Sequence, residues 1–188
     1  MQLTENLEDK TVSRLETEIV RNIVVVPYDE NWTHEFRKIK GEVLPLIKDL
    51  IISIEHVGST SVKGLFAKPI IDINIVIDNN DILPTIIHKL AQIGYTHVGD
   101  LGISGREAFK YTNKIHLMEH HLYVCPKDSH EHKRQVTFRD YLRLHPADCE
   151  KYSKIKIEMA KKFPHDIDSY ISGKEPVILE IYKKCGLI

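Results

Sequence analysis

Cysteine, tryptophan and long apolar runs are all scarce in this chain of 188 residues. The three cysteines, Cys125, Cys149 and Cys185, form no C-x-x-C pair. An odd count makes a poor disulfide framework, so a reducing cytoplasm is expected. No apolar stretch approaches the roughly 20 residues that span a bilayer. The opening MQLTENLEDK has neither the basic start nor the apolar middle of a signal peptide. A cytoplasmic protein with no membrane partner follows as the expectation. Excess charge of one sign is missing too: 26 Lys and Arg face 27 Asp and Glu, a formal net charge of -1. That balance argues against strong nucleic-acid binding. The balance hides an asymmetry, with 10 basic against 15 acidic residues up to position 100 and 16 against 12 beyond it. Such a layout suits an anion-binding surface beside an acidic one, and equally an ordinary solvated helix face. Repeats of 20–50 residues and low-complexity tracts are absent, which excludes a solenoid.

What is present is enough apolar residue, 42%, for one compact domain over 1–188. Residues 1–20 read as a polar N-terminal extension with weak helical periodicity. IVVVP at 23–27 reads as a short buried strand, and Trp32, Phe36, Ile39, Val43, Leu46 and Ile47 space a helix over 30–48 that Pro45 should bend or end. Strands follow at 51–57 and 70–77, the second so continuously apolar that it should be central and covered on both faces. A helix is expected over 81–93, and three short strands lie in YTHVG, EAFKYT and HHLYVC between 95 and 125. From about 130 the pattern is helical, over 131–144, 147–162 and 175–185, with breaks at Pro146, Pro164 and Gly173 to Pro176. Strands and helices without strict alternation imply an α/β or α+β sheet with a mainly helical part over 130–188.

One acid, Asp72, sits inside the apolar strand IIDINIVI. Alternation puts it on one face with Asn74 and opposite Ile71, Ile73 and Ile75. An ionised carboxylate there needs a cation, donors or water. The bend GSTS at 58–61 should lie near the same edge, because only about a dozen residues join the two strands. Gly58 permits close backbone approach, while Ser59, Thr60 and Ser61 offer hydroxyls and a short helix from about 61 would aim free N–H groups at an anion. Lys63 and Lys68 bracket the bend with positive charge. Phosphate held at the bend, with Mg2+ on the acid opposite, is a layout suited to a nucleoside triphosphate. The alternative is a common turn and a strand acid paired with Lys63 or Lys68.

The motifs VVPYDENW, IEHVGSTSVKGLFAKPIIDI, HHLYV and FRDYLRLHP, with YSKIK following, occur in order over residues 23–160. In this the chain resembles the GrpB family, a branch of the nucleotidyltransferase superfamily. The resemblance implies a nucleotidyltransferase-like mixed sheet flanked by helices. It matches Gly58 and Ser59 to a Gly-Ser motif, Asp72 to the first acid of an Asp-x-Asp, and His121 to a position near Asp72 that could serve as ligand, base or phosphate donor. Similar domains fused to dephospho-coenzyme A kinase suggest a nucleotide-like or coenzyme-A-like ligand. Asn74 departs from the pattern, since two-metal transfer needs two acids on one strand face. Nucleotide binding with metal-dependent nucleotidyl transfer is therefore weighed against a catalytically inactive ligand-binding or protein-interaction module.

Further candidates accompany these. Glu55 is a supplementary metal ligand beside Asp72 and Asn74, or one of two neighbours, with His56, sent to opposite faces. Arg106 and Arg139 could fork onto phosphate; for Arg139 an ion pair with Asp140, Asp148 or Glu150 competes. Eleven histidines, among them His130 and His132, suggest zinc, yet H-E-x-x-H and paired cysteines are missing. Trp32 and Phe36, one turn apart, read as core.

Overall fold

The computed structural model describes residues 22–188. Within them a helix α1 (Asn31–Ile47) leads to strand β1 (Ser53–Val57) and strand β2 (Ile71–Ile77). Helix α2 (Leu83–Ala91) then precedes β3 (Tyr95–His97), β4 (Glu107–Tyr111) and β5 (His120–Pro126). Three helices close the chain: α3 (His130–Leu144), α4 (Pro146–Lys162) and α5 (Ile167–Lys184). The five strands form one mixed sheet in the order β1-β2-β5-β4-β3, in which β2 and β5 run parallel and the other neighbours antiparallel. The result is an α+β fold.

Period-two alternation divides the chemistry of β2 between two faces. Ile71, Ile73, Ile75 and Ile77 are fully buried and pack with Leu122 and Val124 of β5 under Trp32, Ile39, Val43, Ile86 and Leu90 from α1 and α2. Asp72 and Asn74 point to the other face, where α3, α4 and α5 lie. The register aligns two rungs across three strands there: Val57 with Asp72 and His121, and Glu55 with Asn74 and Tyr123. Smaller apolar clusters fill this side. One joins Val62 and Leu65 to Leu142, Cys149, Tyr152 and Ile181, and another joins Ile23 to Met159, Ala160 and Tyr170.

The expected strand at 23–27 is a single bridge between Val26 and Ala67. Ile23 and Val25 pack on the helical side, Val26 packs against the isoleucine core, and Val24 is exposed, so the segment adds no ladder beyond that bridge. Pro45 lies inside α1, which continues to Ile47. The expected helix from about 61 is one 3-10 turn, Ser59–Ser61. The last helix starts eight residues before the expected 175, and Gly173 and Pro176 are both inside it. Packing overrides local propensity here: Gly173 lets α5 approach Met159 of α4 so closely that a Cβ would lie 2.9 Å from its Cγ. The helix expected over residues 1–20 lies outside the described residues. Among the described residues no helix is long and apolar enough to cross a membrane.

Candidate functional site

β1 ends at Val57, directly opposite Asp72, and the chain then folds back over that acid. Gly58 makes the turn with φ +69°, and a Cβ in its place would overlap Asp72 Oδ2 and lie 2.8 Å from Asp72 Cβ. Both facts demand glycine. The bend and the strand acid therefore touch.

The turn after Gly58 is closed internally. Ser61 donates its hydroxyl to Gly58 O at 2.6 Å. Thr60, almost wholly buried, donates its hydroxyl to Ile70 O at 3.1 Å and lies 3.0 Å from His56 Nε2. Since Thr60 has one proton and gives it to Ile70, His56 must donate through Nε2. Burial pushes His56 down to about 4, outweighing the attraction of Asp72, so the ring is neutral near pH 7. Thr60 is thus a staple for the bend, turned away from any ligand. Ser59 is the hydroxyl left to face outward.

Ser59 opens onto a cavity of about 90 Å3 lined also by Lys68, Asp72, His121, Lys156 and Lys174, with Tyr152 and Tyr170. Lys156, 3% exposed, donates to Ser59 Oγ at 2.6 Å and to Phe66 O at 2.8 Å. These two bonds use both donors of a neutral amine, and a third donor exists only in the ammonium form. Burial drives the Lys156 amine far below its ordinary range, reinforced by Lys174 and opposed by Asp72. Burial, with Lys68 nearby, lowers Lys174 to about 8; its Nζ sits 3.9 Å from the Tyr170 ring centroid. Across the cavity His121 Nδ1 is 2.9 Å from Asp72 Oδ1. Three amines thus face one carboxylate.

Other sequence candidates are placed elsewhere. Lys63 is exposed and pairs with Glu30 at 3.0 Å, away from the cavity. Glu55 accepts from Arg139 Nη1 at 3.1 Å, and the same nitrogen donates to His56 O. Burial raises the Glu55 carboxyl, but Arg139, Ser53 and His132 together outweigh it and leave the group below its usual range. Arg139 also pairs with Asp140, as expected, while Asp148 holds Lys184 and Tyr141. Arg106 stacks over the Tyr123 ring at 4.4 Å, lies 4.0 Å from Glu131 and is not in the cavity wall. His120 faces the opposite side of the sheet, 2.7 Å from the Tyr95 hydroxyl. The expected opposition of His120 and His121 holds.

Asn74 is fully buried. Its amide donates to Gln135 Oε1 at 2.7 Å and lies 3.2 Å from His132 Nδ1, and its Oδ1 has no partner among the described residues. The donor set does not fit a two-ion cage: among the described residues Asp72 is the one carboxylate in the cavity wall, Asn74 is tied into α3, and Glu55 is held by an arginine. Among the described residues no three His, Cys, Asp or Glu are grouped to hold a metal. His130 and His132 therefore form no such group. The lysines at 156 and 174 escaped sequence reading. Lys156 lies inside the quoted YSKIK motif, where a tyrosine and a lysine four apart share a helix face, and that spacing was the available signal.

A family model described as GrpB protein matches residues 22–184. The chain belongs to the GrpB family. The UPF0157 protein YqkA of Bacillus subtilis is 34% identical over 156 residues, covering 82% of this chain and 45% of that protein. The chain thus spans about half the length of that relative. The crystal structure of GrpB from Enterococcus faecalis superposes with a TM-score of 0.76 at 30% identity, covering 86% of this chain and 96% of that one. The Cid1 poly(U) polymerase bound to MgATP is a distant likeness, with TM-score 0.45 and 9% identity over 70% of this chain and 45% of that one.

Proposed function

We propose that this GrpB-family chain binds a small phosphate-bearing, nucleotide-like ligand, with the phosphate among Lys68, Lys156, Lys174 and the Ser59 bend. The observation that carries this reading is the cavity's composition: three amines and one carboxylate facing a common space. Burial and mutual repulsion lower the Lys156 and Lys174 amines, and an anion entering the space would restore their charged forms and be held by them. At about 90 Å3 the space holds roughly three waters, the scale of one phosphoryl group. Asp72 and His121 stand opposite, where they orient the ligand and limit how much negative charge the cavity accepts.

Metal-dependent nucleotidyl transfer is the second reading, and Asp72 favours it. Mg2+ is commonly held by one or two carboxylates together with substrate phosphates, so Asp72 would share a single ion with the ligand while His121 assists the acceptor. The coenzyme A precursors carry the same phosphate chemistry and belong among the candidate ligands.

Thermal unfolding separates these readings. A ligand that binds only the folded state at a hundred times its dissociation constant stabilises it by about 2.7 kcal/mol. Inorganic phosphate, diphosphate, nucleoside triphosphates and coenzyme A precursors should raise the melting temperature with EDTA present, and Lys68→Ala should reduce the rise. If every shift requires Mg2+, the metal reading replaces the lysine reading. If no phosphate compound shifts the transition in either condition, both fail.

A further inference from the structure

A second cavity of about 200 Å3 lies on the other side of the bend, and Ser59 and Tyr152 line both spaces. Its walls differ in kind from the lysine side. Val62, Leu142 and Ile178 supply aliphatic surface, and Phe138 stands edge-on to Tyr152 and Tyr182 at 5.5 and 5.3 Å. The two arginines on its rim are already neutralised. Arg134 donates to Glu131 at 2.8 and 2.6 Å, and Arg139 is held by Glu55 and Asp140. A second anion would find no uncommitted charge here, whereas a neutral flat group would find aromatic walls and guanidinium planes to lie against.

Size supports joint occupancy. Small-molecule pockets generally run from about 300 to 1,000 Å3; neither space reaches that range alone, and the two together approach its lower edge. We propose that the apolar cavity receives a neutral planar ring belonging to the same ligand whose phosphate lies among the lysines, with Ser59 and Tyr152 at the junction. This rests on the phosphate reading above. It defines the ligand class further: a phosphorylated compound with an uncharged ring a few bonds from its phosphate, bound without a metal in the ring half.

The experiment compares ribose 5-phosphate with AMP, CMP, GMP and UMP by calorimetry on the whole chain, since the pairs differ only by the ring. At least one nucleotide should bind tenfold or more tightly than ribose 5-phosphate. Ile178→Trp, which fills the apolar space from α5, should abolish that advantage and leave ribose 5-phosphate binding unchanged. Ribose 5-phosphate binding as tightly as all four nucleotides would overturn the ring cavity while sparing the phosphate site. An advantage that persists in a folded Ile178→Trp variant would overturn it as well. Absence of binding by all five compounds would overturn the ring proposal, and absence of any shift with inorganic phosphate, diphosphate, nucleoside triphosphates and coenzyme A precursors as well would remove the phosphate reading with it. Should Ile178→Trp fail to fold, the comparison on the unaltered protein still decides.

Discussion

Gly58 holds the bend closed over the strand acid. Gly58 combines a positive φ with direct contact against Asp72, so Gly58→Ala must strain the backbone and displace the carboxylate together. Gly64, at φ +86°, has open space around its missing Cβ and isolates the backbone cost. Gly58→Ala should lower stability by about 2–3 kcal/mol and Gly64→Ala by about 1, measured by urea unfolding. Equal losses would mean that the bend tolerates movement of Asp72. Lys174 gives the second residue-level expectation. Its amine is lowered to about 8 from an ordinary 10.5, so between those values the unfolded chain binds more protons than the folded one. Stability of the ligand-free protein should therefore rise as pH climbs from about 8 towards 10.5. Phosphate affinity should fall over the same interval, because the neutral amine no longer attracts the anion. Lys68, Lys156, Asp72 and His121 face the same space, so Lys174→Met, which should flatten part of both trends, identifies the group responsible. Trends unchanged by that substitution would assign them to another group.

At the level of elements, the site depends on how closely α4 and α5 approach. Gly173 normally would be a weak point, since alanine in a helix interior is favoured over glycine by roughly 1 kcal/mol. Here a Cβ would overlap Met159 Sδ, and Gly173 directly precedes Lys174. Gly173→Ala should therefore destabilise the chain instead of stabilising it, by about 1–2 kcal/mol, and weaken phosphate binding by shifting Lys174 against Lys156. Thermal melts and calorimetry on the variant check both halves; a stabilised variant with unchanged affinity would show that Met159 simply moves aside. The same contact explains what the sequence left unread. The sheet strands were legible because β-branched alternation is local, and β1, β2 and β5 stand within two residues of their expected limits. The Gly58, Ser59 and Asp72 part of the cavity was legible for the same reason, as two short-range features joined by one connection. Lys156 and Lys174 arrive from about ninety to over a hundred residues away through packing of helices. Gly173 and Pro176 read locally as a break exactly where close packing permits a continuous helix, so that half of the wall was hidden.

Across the whole molecule the two faces of the sheet carry different tasks. The isoleucine face against α1 and α2 is a dry, contiguous core, whereas the opposite face is divided into smaller clusters by a seam of lysine, aspartate and serine. A buried amine is a stability cost that function can justify. Lys156→Met keeps all but the last atom of the side chain's length and removes the desolvated amine, at the expense of a donor to Phe66 O and Ser59 Oγ. The two effects oppose each other, so stability near pH 7 should stay within about 1 kcal/mol of the unaltered chain or exceed it, while phosphate affinity drops tenfold or more. The relative advantage of the variant should shrink as pH rises towards 10.5, because the Lys156 amine titrates far lower when folded and the penalty for burying it disappears once the unfolded amine is neutral too. A loss of 3 kcal/mol or more with the phosphate affinity intact would make Lys156 a structural anchor of the 58–70 connection, and the cavity would then be packing geometry in place of a binding site.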